Sequence, residues 1–167
     1  MTAPFQLEAL ADVHDRDAFS SGDEALDRYL KTQVTQDIRR RVTNCFVAVE
    51  ATSGTLAGYY TIAASSIPLP DLPRDIAKRL PRYPTIPAVR IGRLAVDQRY
   101  RGRGLGEALL IDALRRTIDA PIAAFAIMVD AKHDKATAFY RRHGFISFTS
   151  QPRTLFLPID TAAKSLL

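Results

Sequence analysis

Between a strand-like segment, Ile91 to Val96, and a helix-like one, Leu105 to Ile118, lies the run Arg101-Gly102-Arg103-Gly104-Leu105-Gly106. A chain that leaves a strand through three glycines and enters a helix is committed to an α/β arrangement at that point. Glycine lets the backbone turn sharply and approach a ligand closely. The helix start presents unpaired N–H groups and the positive end of the dipole. With two arginines added, the run reads as an anion cradle suited to a pyrophosphate. A Walker loop is excluded, because no Lys-Ser or Lys-Thr follows the glycines. A dinucleotide fingerprint needs Gly-x-Gly-x-x-Gly, and Gly102, Gly104 and Gly106 give Gly-x-Gly-x-Gly instead. The spacing that fits is Arg-x-x-Gly-x-Gly, at Arg101, Gly104 and Gly106. A plain glycine-rich turn is the bland alternative.

The flanking segments predict the rest of the architecture. Phe5 to Val13 alternates as an opening strand. Ser21-Gly22-Asp23-Glu24 has the form of a capping box, opening a helix with Leu26, Tyr29, Leu30, Val34 and Ile38 on one face. Thr43–Glu50 and Thr55–Ala64 predict a hairpin about residues 51–54. Six prolines between Ser65 and Pro87 predict a long, stiff loop, with a short helix over 74–80. Val89 to Val96 reads as a strand. Leu105, Leu109, Leu110, Ala113 and Leu114 give the next helix its inward face. Ile122 to Val129 is a continuous apolar strand of the kind covered on both faces. Asp134 to Arg142 is a helix stopped by Gly144. Strands about Phe145–Phe148 and over Arg153–Ile159 close a mixed α/β sheet with helices on both faces.

At 167 residues one domain, 1–167, is expected. Met1 to Leu10 lacks a basic start followed by an apolar run, and no stretch is long and apolar enough to span a bilayer. No membrane association and a cytoplasmic location are therefore expected. The lone Cys45 lies in an apolar run and reads as a buried, inert thiol. With three scattered histidines it makes no metal ligand set, so no metal is expected. The net charge of +5 is unevenly spread. Residues 1–38 carry eight acidic and three basic side chains, whereas Arg74 to Arg116 carry eleven basic and four acidic. That balance of +7 exceeds what one small anionic ligand needs and suggests a second polyanion such as RNA, against the alternative of a solvated arginine-rich face.

The Arg-x-x-Gly-x-Gly loop resembles the coenzyme A loop of the GNAT acetyltransferase superfamily. Ala136-Thr137-Ala138-Phe139-Tyr140 followed by Gly144-Phe145 is similar to a second mark of the same superfamily. A narrower resemblance covers nearly the whole chain. It is carried by Phe19-Ser20-Ser21-Gly22, Leu26-Asp27-Arg28-Tyr29-Leu30, Gly58-Tyr59-Tyr60, Tyr83-Pro84-Thr85-Ile86-Pro87, Ile91-Gly92-Arg93-Leu94-Ala95-Val96-Asp97, Val129-Asp130-Ala131 and Leu155-Phe156-Leu157-Pro158. This set is similar to the GNAT toxins of type II toxin–antitoxin systems. The resemblance implies a GNAT fold: a mixed, mostly antiparallel twisted sheet with splayed central strands. It implies acetyl transfer from acetyl-CoA (coenzyme A) to the α-amine of aminoacyl-tRNA, blocking translation. It also implies a homodimer and a ribbon-helix-helix antitoxin. One departure is His133, which stands where many GNAT enzymes have Asn.

By that resemblance, the cofactor group comprises Leu94, Ala95, Val96, Arg101, Gly102, Arg103, Gly104, Leu105, Gly106, His133 and Phe139. The backbone of Leu94 and Val96 pairs with the pantetheine arm, and the Val96 N–H polarises the acetyl carbonyl. Tyr140 is the candidate general acid, its neutral hydroxyl protonating the departing sulfur; the alternative is a core tyrosine that only packs. No general base stands out, since His143 is better placed as a helix end beside Gly144. A free α-amine titrates near ~8, far below a lysine side chain near ~10.4, which favours an α-amine acceptor. Arg90 or Arg93 is expected at the acceptor end of tRNA, with Arg74, Lys78, Arg79 and Arg82 on phosphates. Tyr83 can stack a base or pack under the proline segment. The competing readings are a GNAT enzyme for a small amine, antibiotic or protein N-terminus, and a non-catalytic coenzyme A or RNA-binding module.

Overall fold

The apolar alternation between residues 43 and 64 folds as the expected hairpin, and it anchors a computed structural model that describes residues 4–166. The strands are β1 (Phe5–Ala9), β2 (Asn44–Glu50), β3 (Leu56–Pro68), β4 (Thr85–Val96), β5 (Ala126–Asp130), β6 (Ile146–Ser147) and β7 (Thr154–Pro158). The helices are α1 (Glu24–Thr32), α2 (Val34–Arg39), α3 (Arg74–Ala77), α4 (Leu105–Asp119), α5 (Asp134–Arg142) and α6 (Ile159–Leu166). The strands bond in the order β1-β2-β3-β4-β5-β7-β6. The β1/β2, β2/β3, β5/β7 and β6/β7 ladders are antiparallel, and β4/β5 is parallel. The mixed, mostly antiparallel sheet read from the sequence is therefore present.

The described chain divides into two compact units. The first holds residues up to Ala63 together with Gly92–Ala113. Its strand β3 serves two helical layers by alternation, since successive side chains point to opposite faces. Tyr59 turns toward α1 and donates its hydroxyl to the Leu26 carbonyl at 2.6 Å. Tyr60 turns toward α4 and donates to Asp112 at 2.6 Å. The core on the α1/α2 side contains Phe19, Tyr29, Leu30, Val34, Val47, Leu56 and Tyr59. Cys45 is buried in it, and burial pushes its thiol up to about 12, which makes it inert at neutral pH. The second unit holds Ala64–Ile91 and the residues from Leu114 onward. Its core joins Ile67, Leu72, Ala88, Ala126, Met128, Phe148 and Phe156, and α3 packs on it through Ile76 and Ala77.

Several boundaries differ from the sequence reading. The opening strand ends at Ala9, short of Val13, whose side chain is exposed. The helix begins at Glu24 with Asp23 as its cap, accepting from the Ala25 and Leu26 amides. Gly22 sits at φ 91°, so the chain is not yet helical there. Ser21 does not cap the helix; its hydroxyl donates to Asp27 at 2.7 Å. The same helix breaks at Gln33, whose ψ of −36° is paired with a φ of −120°, and restarts as α2. The long loop over 65–87 contracts, because β3 runs on to Pro68 and β4 begins at Thr85. Pro87 lies within β4 and serves the ladder through its carbonyl, which accepts from Phe125 N at 2.8 Å. Strand β5 starts at Ala126 where β7 pairs with it; Ile122 is 82% exposed and outside it. The terminal helix α6 was not expected from the sequence.

Candidate functional site

The candidate residues fall in both units, and each group stands on its own geometry. In the first unit, β4 runs to Val96 and hands the chain to a 3-10 turn, Gln98–Tyr100. The glycine loop follows, and α4 begins at Leu105. Gly102 and Gly104 have φ 78° and 75°, a left-handed conformation that L side chains rarely adopt. A Cβ built on either meets nothing within 4 Å. The loop therefore presents bare backbone to open space at a helix N-terminus, the arrangement that binds phosphate oxygens. The Gly104 carbonyl accepts from Ala108 N at 3.1 Å, so α4's first turn is formed directly behind the loop. Leu105, Leu109 and Leu110 are buried and fix the helix on the sheet.

Pairing to β5 covers Ala88–Ile91 and stops, although β4 continues to Val96. Leu94 and Val96 are half-buried, Ala95 is buried in the core, and the Asp97 amide donates to the Ala57 carbonyl at 2.8 Å. Gly92 approaches β3 so closely that a Cβ would lie 2.9 Å from Thr61 Oγ1. That hydroxyl is buried without a hydrogen-bond partner among the described residues.

The two loop arginines part company. Arg101 turns back and donates from Nη2 to the Ser21 carbonyl. Arg103 is exposed, with its guanidinium 5.4 Å from the centre of the Tyr100 ring. Arg103 is therefore the loop arginine left to solvent, while Arg101 fastens the loop to the 20–22 turn.

That turn gives the Phe19-Ser20-Ser21-Gly22 block its physical meaning. Ser20 N donates to Asp97 Oδ2 at 2.9 Å, and the Ser20 carbonyl accepts from Gln98 N at 2.9 Å. A Cβ on Gly22 would lie 2.5 Å from Gln98 Nε2 and 2.9 Å from Arg101 Nη2, so only glycine fits without displacement. Asp97 is buried and also accepts from Arg99 Nε at 2.9 Å and Arg99 N at 2.9 Å. Burial acts to raise its pKa, but the hydrogen bonds from Arg99 and from the Ser20 and Arg99 amides outweigh it and hold the carboxyl below its ordinary value. Sequence reasoning singled out this block only as a likeness; the paired Asp97 and Gly22 were the signal that a turn was being clamped.

Arg93 lies with its guanidinium 3.4 Å from the centre of the Tyr29 ring, a cation–π contact. Tyr29 in turn donates to Asp37 at 2.7 Å, which also accepts from Gln33 at 3.1 Å. Arg93 is thus held at a fixed place on β4 by the α1 and α2 helices.

In the second unit, α5 carries Phe139 and Tyr140. The Tyr140 ring is buried between Phe139 and Phe145, with centroids at 5.1 and 5.3 Å. Burial pushes its hydroxyl up to about 12. No hydrogen bond holds that hydroxyl within the described residues, which leaves it available to a reacting atom. His133 caps α5: Nδ1 accepts from Ala136 N at 3.1 Å. The departure at position 133, His where Asn was expected, thus keeps a side-chain acceptor at a helix start, which is what an N-cap requires. His143 stands at the other end of α5, its Nδ1 2.8 Å from the Phe139 carbonyl. Arg90 is ion-paired with Asp130, whose second oxygen accepts from Thr154 at 2.8 Å. Arg74, Lys78, Arg79 and Arg82 are all exposed, on and after α3. Among the described residues, no cluster of His, Cys, Asp or Glu is placed to hold a metal, and no helix is long and apolar enough to cross a membrane.

The profile of the Acetyltransferase (GNAT) domain matches residues 17–154. A tRNA-acetylating toxin of Mycobacterium tuberculosis is 35% identical over 155 residues, covering 92% of this chain and 91% of that protein. A probable toxin TacT of Sinorhizobium fredii is 33% identical, covering 89% and 87%. A Tyr-to-Phe mutant of KacT superposes with a TM-score of 0.91 at 29% identity, covering 98% of this chain and 99% of the other. AtaT complexed with acetyl-methionyl-tRNAfMet gives 0.89 at 29% identity over 98% and 99%. An AtaT mutant bound to the C-terminus of the antitoxin AtaR and acetyl-CoA gives 0.82 at 25% identity over the same shares.

Proposed function

Because the chain belongs to the GNAT acetyltransferase family, we propose that it transfers an acetyl group from acetyl-CoA to the α-amine of aminoacyl-tRNA, and that it acts as a toxin by blocking translation. The observation that carries the reading is the open, left-handed glycine loop at the start of α4, reached from a strand whose pairing to β5 has already ended. That cradle has the exposed backbone a pyrophosphate needs, and the strand beside it has the reach a pantetheine arm needs. The likeness to a tRNA-acetylating toxin over nine-tenths of the chain supports the acceptor.

The residues take complementary roles. Amides from Gly102 to Gly106 and the Arg103 guanidinium hold the pyrophosphate. The backbone of Leu94, Ala95 and Val96 orients the pantetheine, with the Val96 N–H on the acetyl carbonyl. Acetyl-CoA supplies the acetyl group as a thioester already open to attack by an amine. Tyr140 stays protonated throughout the working range and gives its proton to the leaving sulfur. His133 holds the start of α5, and Phe139 flanks Tyr140. Arg74, Lys78, Arg79 and Arg82 contact tRNA phosphates; Arg93, braced on Tyr29, or Arg90, braced on Asp130, serves its acceptor end. The family match runs through both units and supports a single acetyltransferase domain. A homodimer neutralised by a ribbon-helix-helix antitoxin, working in the cytoplasm, completes the reading.

Radiolabelled acetyl-CoA tests it, offered with charged tRNA, deacylated tRNA and a panel of small amines. Label on charged tRNA alone, lost in Tyr140→Phe, is the expected result. Label on a small amine and never on tRNA moves the function to a small-amine acetyltransferase.

A further inference from the structure

The chain puts one aromatic ring where no packing argument places it. Tyr83 is 63% exposed, in a run of five consecutive exposed residues, 81–85. Its surroundings offered a place to hide. Leu69, Ile76, Ala77 and Leu80 from the same segment pack onto the core formed by Ile67, Leu72, Phe148 and Phe156. Tyr83 does not join them, and it makes no hydrogen bond or ring contact with any described residue.

The segment that carries the ring is stiff. Pro81 and Pro84 bracket it, and each fixes one backbone dihedral. The Pro84 carbonyl accepts from Leu69 N at 3.1 Å, which ties the end of the segment to its beginning. Its cations stay in solvent: the side chains of Arg74, Lys78 and Arg82 are exposed and make no hydrogen bond or ion pair with described residues. Only Arg79 is engaged, donating to the Asp75 carbonyl at 3.1 Å. Against these four stand Asp71 and Asp75, so the segment remains net cationic.

We infer that Tyr83 is a stacking platform for an unpaired nucleotide of the tRNA, with the neighbouring cations taking the adjoining phosphates. A rigid exposed ring among unpaired cations is the combination that binds single-stranded nucleic acid, because every base has a face to stack and every nucleotide carries a charge. A lone ring flanked by prolines is too little apolar area to anchor a membrane. The inference rests on charged tRNA being the acceptor and adds the residue that holds its single-stranded part.

The test compares wild type, Tyr83→Ala and Tyr83→Phe for binding to whole tRNA, to a short single-stranded RNA and to a blunt RNA duplex, across a salt series. Melting temperatures check that the variants fold alike. Tyr83→Ala should bind tRNA and single-stranded RNA about 5- to 150-fold more weakly, while Tyr83→Phe keeps the affinity. Because a tyrosine carries no charge, the dependence on salt should keep its slope, whereas loss of a phosphate contact lowers it by about one. Binding to the blunt duplex should not change. Equal affinity of Tyr83→Ala and wild type for single-stranded RNA overturns the inference, as does an equal loss on the duplex. The acceptor reading fails separately, if the wild type acetylates no charged tRNA at all. A protein partner as the true occupant would appear as Tyr83→Ala losing antitoxin binding with RNA binding intact, and that also overturns it.

Discussion

In the proposed mechanism Tyr140 protonates the leaving thiolate, and its hydroxyl must hold its proton until the bond breaks. Its ring is enclosed by Phe139 and Phe145, and burial pushes the hydroxyl up to about 12. The sign follows directly: the raised value keeps the acid form populated up to high pH. The rate of acetyl transfer should therefore rise with pH as the ester-linked acceptor amine loses its proton, below the ~8 of a free α-amine, and stay flat to about pH 10. A falling limb between pH 8 and 10 in kcat/KM would count against Tyr140 as the acid. Tyr140→Phe keeps the packing and removes only the hydroxyl. It should lower kcat by about 10²- to 10⁴-fold with little change in acetyl-CoA affinity. The same scale explains what the sequence could and could not disclose. Tyr140 stands out in the sequence because a motif marks it. The role of His133 does not, since a ring nitrogen acting as an N-cap in place of an amide oxygen leaves no trace in residue type.

At the scale of elements, the 20–22 turn and the segment after β4 work as one clamp. Asp97 receives the Ser20 and Arg99 amides, Gln98 donates to Ser20, and Arg101 closes on Ser21. Gly22→Ala puts a methyl against Gln98 and Arg101 at a left-handed residue. It should weaken acetyl-CoA binding, read by calorimetry, and cost about 1–2 kcal/mol of stability. Asp97 adds a pH signature. Its folded pKa lies below the ordinary value, so its contribution is present above about pH 4 and lost as pH falls through the folded value. Asp97→Asn should melt lower at neutral pH and show a flatter acid limb; an unchanged acid limb would remove Asp97 from the account. The elements around the clamp were mostly visible in the sequence. The hairpin, the β4–loop–α4 passage and α5 follow from periodicity and punctuation. What escaped were features set by partners distant in sequence. The break at Gln33 carries no breaker residue. Strand β5 starts where β7 meets it, not where the apolar run starts. Helix α6 is short and follows β7 without a turn signal.

For the molecule as a whole, charge is the organising quantity. The balance of −5 over residues 1–38 and +7 over 74–116 survives folding as a set of exposed cations on and after α3. If Arg74, Lys78, Arg79 and Arg82 each neutralise one phosphate, tRNA affinity should fall with salt with a log–log slope of about −3 to −4. Each alanine substitution should reduce that slope by about one. A slope near zero would make these residues an ordinary solvated surface. The basic excess was legible in the sequence, but its division was not. Folding takes Arg101 into the clamp, Arg93 onto Tyr29 and Arg90 onto Asp130, and leaves the α3 cations to the solvent.

The glycine loop has a genetic corollary. The main-chain part of such a cradle has no side chain to tune, so it can be broken by substitution but hardly adjusted by it. Gly102 and Gly104 face open space, and no alternative residue is excluded there by crowding; each is excluded by backbone handedness and, in the proposed complex, by the pyrophosphate. Cells selected to survive expression of this protein should therefore collect inactivating alleles of every residue type at codons 102 and 104, whereas at codon 103 only alleles that remove the positive charge, and never lysine, should appear. Deep sequencing of survivors would read that contrast directly, and an even spread across the three codons would refute it.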